Sequence, residues 1–541
     1  MSTQKASSPS TPGEQLARST LTVTGIVVVS RVLGFARDLV IAYTLGGSAA
    51  ADVFVAAFRI PNTARRMIAE GMVSMPFIPE YCRRKNKGTL EGGLTEGERQ
   101  AMLFCRSAML WVLLVLTPLC LLGMIFPDQV MLMIAPGFML YPQQAEAAST
   151  LLYLLLPYTL ILCTLSVGGA ILQARNRYLS PVIGPCIPNI TVLLVMGAAI
   201  WVGDVHLSPI AGGEPTQAAL IFCQALLFSG LLQWAYMARN MRQEKLCWPG
   251  PVRLKTAFPF VMRLPLSFCG TSTHQLNILI AGMGASFLAE GTISQLHYAD
   301  QLISLPLGMF GMAVGVISLP HFTEMANKNN LAALRAGLAG SMKLALYLSM
   351  PAAAGLAGIA DPLVRILFMR GEFDAQAAHG TTLALQGACL ALPAFAISRP
   401  LLAACHVKGY VKLTAGIGLA SMLATASLSF ALPKAFTTLN APILGIGLSI
   451  SLGAWVSALL LWQFMRRKSI TPKAADLSGM GLPFLLSILI FTGTWLVCTN
   501  TGTSPWIKVG ILAPACALIY FAVTAIKGCP EARAILNTFK K

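Results

Sequence analysis

Stretches of about twenty apolar residues recur along this chain, and that recurrence leaves little choice of fold. No water reaches the backbone in hydrocarbon, so such a chain must close its hydrogen bonds within helices or around a closed barrel. Runs such as Leu110 to Phe126 and Thr150 to Leu172 are apolar on every face. Barrel strands would instead alternate in polarity over about ten residues. Helices follow, and a content of 55% hydrophobic and only 11% charged residues places most of the surface in lipid. Hydropathy predicts an all-α integral membrane protein of about fourteen spans, beginning near 21–46 and 51–80, reaching a seventh near 258–283 and ending near 508–527.

The formal charge of +18 raises the possibility of nucleic-acid binding. The basic residues lie in the loops between spans, without a compact basic domain or interleaved aromatics, so no nucleic-acid partner is expected. With a cytoplasmic N-terminus, 29 of the 39 Lys and Arg fall on one side, four on the other and six within spans. By the positive-inside rule both termini are expected in the cytoplasm. The thirteen cysteines are scattered, without CxxC or zinc-ligand spacing, so neither a disulfide framework nor a metal site is expected. Residues 1–20 are polar and rich in Ser, Thr and Pro, and are expected to be a disordered cytoplasmic tail. No cleavable signal is expected after them.

The two halves are weakly self-similar at a separation of roughly 232 to 244 residues. Gly71-Met-Val-Ser-Met-Pro-Phe-Ile-Pro-Glu80 resembles Gly315-Val-Ile-Ser-Leu-Pro-His-Phe-Thr-Glu324. Pro157 with Arg177-Tyr178 echoes Pro393 with Gly409-Tyr410. Six spans per half give both halves the same orientation about an axis along the membrane normal, with a transport path between them. The expected organisation is an N-lobe over 21–240, a C-lobe over 241–470, and two extra helices with the C-terminus over 471–541.

Six basic residues lie inside spans: Arg31, Arg37, Arg59, Arg65, Arg66 and Arg399, and the first five belong to the first two helices. A central arginine costs about 2.5 to 3.5 kcal/mol on insertion scales, so these must face a wet or paired interior. Arg31, Gly34 and Asp38 share a helical face, and Asp52, Arg59 and Arg66 repeat every seven residues. One reading is structural: Arg37 pairs with Asp38 or Asp52, and Arg66 with Glu70. The other is a ligand site, because five arginines exceed Asp38, Asp52 and Glu70. The planar guanidinium fork suits phosphate oxygens, so the excess points to a phosphate-bearing substrate. Pro61 is expected to bend or end the second helix. His274, Gln275 and Asn277 in the seventh span either line the same cavity or bond between helices. GxxxxGK[ST], HExxH and GxSxG are absent, so neither nucleotide hydrolysis nor enzymatic chemistry is expected, and no cofactor is required.

Ser30-Arg-Val-Leu-Gly-Phe-Ala-Arg-Asp38, Asp52-Val-Phe-Val-Ala-Ala-Phe-Arg-Ile-Pro-Asn62 and Arg65-Arg-Met-Ile-Ala-Glu-Gly71 together resemble the MurJ (MviN) family of lipid II flippases. That family belongs to the multidrug/oligosaccharidyl-lipid/polysaccharide exporter group. The resemblance continues through Ala135-Pro-Gly-Phe138, Gly168-Gly-Ala-Ile-Leu-Gln-Ala174, Tyr298-Ala-Asp300 and Leu305-Pro-Leu-Gly308. It implies fourteen helices in two lobes plus a C-terminal pair that holds a polyprenyl tail, in the bacterial inner membrane. It implies as substrate lipid II, an undecaprenyl diphosphate bearing the peptidoglycan precursor, moved by alternating access on a membrane potential or ion gradient. Membrane lipids and a coupling ion are the other implied partners. The residues implied in substrate binding are Ser30, Arg31, Arg37, Asp38, Asp52 and Arg65, with Arg59, Arg66 and Glu70 as supporting charges. The family carries arginine directly after Tyr-Ala-Asp, where this chain has Gln301, so Arg263 or His274 is expected to compensate or the phosphate to be held less tightly. The alternatives are a flippase for another polyprenyl-linked glycan, and a cation or drug antiporter. A membrane glycosyltransferase is a third, but it would need a periplasmic carboxylate and a larger external domain.

Overall fold

Among the described residues of the computed structural model, ten helices are long and apolar enough to cross a membrane. The structure describes residues 12–69, 74–85, 96–175, 177–203, 214–244, 251–262, 272–327, 330–468, 470–471 and 479–533, and they contain no strand. In chain order the helices are α1 (Pro12–Leu45), α2 (Ala49–Ala69), α3 (Ser74–Lys85), α4 (Glu96–Ile125), α5 (Pro142–Ala174), α6 (Leu179–Val202), α7 (Gln217–Gln243) and α8 (Leu254–Val261). The second half continues with α9 (Thr273–Ala285), α10 (Thr292–Asn327), α11 (Leu331–Gly358), α12 (Ala375–Val407), α13 (Val411–Ala435), α14 (Pro442–Arg467), α15 (Gly481–Asn500) and α16 (Pro505–Ile526).

The long helices outside those ten are α1, α2 and α10, with the shorter α9 beside them. They stand first, second, seventh and eighth in the expected series of spans, the same two places in each half. Polar side chains account for this in α2, where Asp52, Arg59, Asn62, Arg65 and Arg66 sit in one helix of 21 residues. Of the expected seventh span, 258–283, α8 carries the start as far as Val261 and α9 the end from Thr273, and residues 263–271 lie outside the described residues. Of the second, α2 and α3 are described while residues 70–73 lie outside the described residues, and α3 packs on α4 through Phe77, Tyr81 and Phe104. Pro61 does not end α2, which runs on for two more turns, although proline donates no backbone bond there. Of the expected tail, residues 1–11 lie outside the described residues and 12–20 are helical. α1 begins at Pro12, a residue preorganised for the first helical position, and Glu14-Gln-Leu-Ala-Arg18 are strong helix formers.

Within the first half α2 lies along α5, which packs on α4 and α7, and α1 lies on α6. In the second half α14 packs on α12 and α13, while α10 packs on α11 and α12. The halves meet where α2 crosses α9 and α10, and where α1 touches α10. α15 and α16 attach to the outside of α11, where the Tyr520 hydroxyl donates to the Tyr347 carbonyl at 2.8 Å and the Tyr347 and Thr524 hydroxyls are 2.7 Å apart.

Candidate functional site

The charged residues of α1 and α2 converge on the boundary between the halves. Arg37 is 3% exposed and makes a two-pronged bond to one oxygen of Asp38, Nη2 at 2.7 Å and Nε at 3.1 Å. Its Nη1 donates to Asn189 Oδ1 at 3.2 Å, and its guanidinium lies over the Phe58 ring. Asn189 Nδ2 in turn donates to the Ser30 carbonyl at 3.1 Å, so one amide of α6 fixes both the arginine and the turn of α1 that carries Arg31. Of the two pairings open to Arg37 in sequence, the structure adopts the one with its neighbour.

Asp52 does something else. Its carboxylate accepts the backbone N–H of Gly291 at 2.8 Å and of Ser294 at 2.7 Å, capping the start of α10 from across the boundary. The exposed amides at a helix N-terminus attract a carboxylate both as hydrogen-bond donors and as the positive end of the helix dipole.

Seven and fourteen residues further along the stripe, Arg59 and Arg66 also reach the second half. Arg59 is 7% exposed, its guanidinium lies against Gly282 of α9, and its Nη1 has no hydrogen-bond partner. Arg66 Nη1 donates to Asp300 Oδ2 at 2.5 Å, and Nη2 donates to Gln301 Oε1 at 3.0 Å. Gln301 therefore serves as an acceptor for an arginine of the other half, a role an arginine at that position would not fill. The Gln301 amide also sits 3.2 Å from His297 Nε2. Arg65 donates to Asn62 Oδ1 at 2.9 Å and keeps a buried Nε without a partner. Arg31 makes no ion pair among the described residues, lies against Gly308 of α10 and is within electrostatic reach of Arg399.

His274 is 3.7 Å from Asp300 and its ring packs edge-on to Phe395. Asn277 bonds to the Ser421 hydroxyl at 2.9 Å, so its role is interhelical. Glu70 and Arg263 lie outside the described residues. Asp300 stood in the sequence as a polar residue within a span whose role was open, and Asn189, Gly282 and Gly308 carried no signal as site residues. The arrangement leaves Arg31, Arg37, Arg59, Arg65, Arg66 and Arg399 facing only Asp38, Asp52 and Asp300 among the described residues. An excess of that sign attracts anions. The described residues hold no cluster of His, Cys, Asp and Glu suited to a metal.

The fold and this buried, arginine-rich boundary define an all-α membrane transporter built of two helical halves. The sequence pattern of the family described as "Lipid II flippase MurJ" matches residues 41–516, and the chain belongs to that family. A probable lipid II flippase MurJ of Rhizobium meliloti is 31% identical over 461 residues, covering 83% of this chain and 80% of the relative. A second from Rhizobium tropici is 27% identical over 97% of both chains. Among solved structures, a lipid II flippase MurJ in an inward closed conformation superposes with a TM-score of 0.72 at 19% identity, over 94% of this chain and 99% of that one. An inward-facing multidrug resistance MATE family transporter of the MOP superfamily superposes at 0.62 with 13% identity, over 81% and 95%. Both likenesses bear on fold alone.

Proposed function

We propose that this chain flips lipid II from the cytoplasmic to the periplasmic face of a bacterial inner membrane, with both termini in the cytoplasm, by alternating access of one cavity between its halves. The observation that carries this reading is the unmatched positive charge at the boundary: Arg59 is buried and Arg65 half-buried, each with a buried nitrogen unbonded, and Arg31 has no carboxylate partner among the described residues. A buried cation without a partner costs several kcal/mol, so its retention calls for an anion that arrives from outside. A diphosphate supplies charge and acceptor oxygens in the geometry that guanidinium forks favour. In this reading Arg31, Arg59 and Arg65 take the phosphates, while Arg37 is held by Asp38 and Asn189. Asp52 and Arg66 join the halves when the cavity is empty. Ser30 contributes its backbone carbonyl, and Glu70 is kept as a supporting charge. The name borne by the relatives supports lipid II over other polyprenyl diphosphates. The excess of cations disfavours export of organic cations, which would need spare carboxylates.

Rescue of a bacterial strain depleted of its own lipid II flippase is the test. Wild type is expected to restore growth, and Arg65→Ala to fail at equal membrane abundance. No rescue by wild type, despite insertion, would overturn lipid II as the substrate.

A further inference from the structure

Two of the boundary arginines end not on a carboxylate but on a glycine. A Cβ built on Gly282 would coincide with the guanidinium of Arg59, and one built on Gly308 would coincide with that of Arg31. Gly282 lies on α9 and Gly308 on α10, the second-half helices that face α1 and α2. Neither glycine has a left-handed backbone, since both sit within helices where any L-residue is sterically allowed. Glycine in a helix interior costs roughly 1 kcal/mol relative to alanine, so backbone geometry gives no reason for either. The space does.

We infer that Gly282 and Gly308 are positioning residues, two notches that receive Arg59 and Arg31 so that the halves can close over an empty cavity. A closed boundary must put the arginine tips somewhere, and a side chain at 282 or 308 would take the space of the guanidinium, so that either the arginine gives up its seat or the contact between the halves loosens. The notches differ in kind from the other two crossings. Asp52 and Arg66 are secured by hydrogen bonds, whereas Arg59 retains an unbonded Nη1 and Arg31 has no ion pair among the described residues. An arginine whose guanidinium nitrogen is unbonded, as in Arg59, leaves its seat with fewer hydrogen bonds to break than Arg66, and so remains available to an incoming anion. Closure as a step of the transport cycle rests on the function proposed above, but the notch itself is testable on the empty protein.

Hydrogen–deuterium exchange of the full chain in lipid nanodiscs, without lipid II, reads closure directly in peptides covering 52–66 and 292–308. Gly282→Ala is expected to raise exchange in both peptides roughly tenfold or more, the population effect of an overpacked contact. Adding Arg59→Ala to Gly282→Ala is expected to return exchange to that of Arg59→Ala alone, and Gly308→Ala with Arg31→Ala should behave likewise. Gly284→Ala, on the same helix but meeting Ser429 instead of an arginine, is the control, and arginine removal should not rescue it. Wild-type exchange in Gly282→Ala and Gly308→Ala would overturn the inference. So would double variants as open as the single glycine variants, because the glycines would then serve helix packing. Failure of lipid II rescue leaves these readouts untouched.

Discussion

Asn189 is an ordinary residue in an apolar helix, yet it is 3% exposed and holds two groups of α1 at once, the Arg37 guanidinium and the Ser30 carbonyl. Asn189→Ala leaves two buried groups short of a partner, a penalty of about 1–3 kcal/mol. Expected outcomes are a lower thermal midpoint and roughly tenfold weaker binding of lipid II in detergent. Unchanged binding would remove Asn189 from the site. Gln301→Arg tests the opposite change. It deletes the acceptor that Arg66 uses at 3.0 Å and sets a second guanidinium beside the first. Like charges at that distance repel, so closure should loosen while affinity for a diphosphate rises. Weaker binding of lipid II by Gln301→Arg would contradict an anion site at this place. The arginines were legible because charge inside an apolar span demands an explanation. Asn189, Gly282 and Gly308 were not, because each acquires its meaning only from a side chain on another helix, 152 positions away in the case of Asn189 and Arg37.

At the level of helices, Asp52 makes α2 and α10 one mechanical unit at the end where α10 begins. Its two backbone bonds are reinforced by the Tyr298 hydroxyl, which donates to the Gly46 carbonyl at 2.9 Å. Loss of a helix cap costs about 0.5–2 kcal/mol, so Asp52→Ala should populate opening at this end several-fold to about thirtyfold more. Faster amide exchange at Gly291 and Ser294, with exchange around Arg66 and Asp300 unchanged, is the expected pattern. Equal acceleration at both places would mean that the two crossings do not act separately. Hydropathy identified the helices that face lipid because their composition is set by lipid. It was weakest for α2, where polar residues interrupt the run. The continuation of α2 through Pro61 was invisible for a related reason. It depends on what packs against the backbone, not on the local apolar count.

Across the whole molecule, the four crossings tie α1 and α2 to α9 and α10, and the boundary they form carries more positive charge than its described carboxylates neutralise. If the halves rock about this boundary, the cavity's own arginines stay near the middle of the membrane while access changes from one face to the other. The charge that traverses the field is then chiefly the substrate's. A diphosphate of charge near −2 moving outward gains about 2.3 kcal/mol per charge for each 100 mV of inside-negative potential, or roughly 4 to 5 kcal/mol in all. A gain of that size shifts the equilibrium by about three orders of magnitude, so the potential alone would suffice to make export directional. In proteoliposomes with the flippase oriented and no pH gradient, imposing an inside-negative potential should drive labelled lipid II to the outer leaflet, and reversing the potential should reverse the net direction. Indifference to the sign of the potential would mean that protons or counter-ions travel with the diphosphate and cancel its charge. The excess arginines would then serve recognition without setting direction.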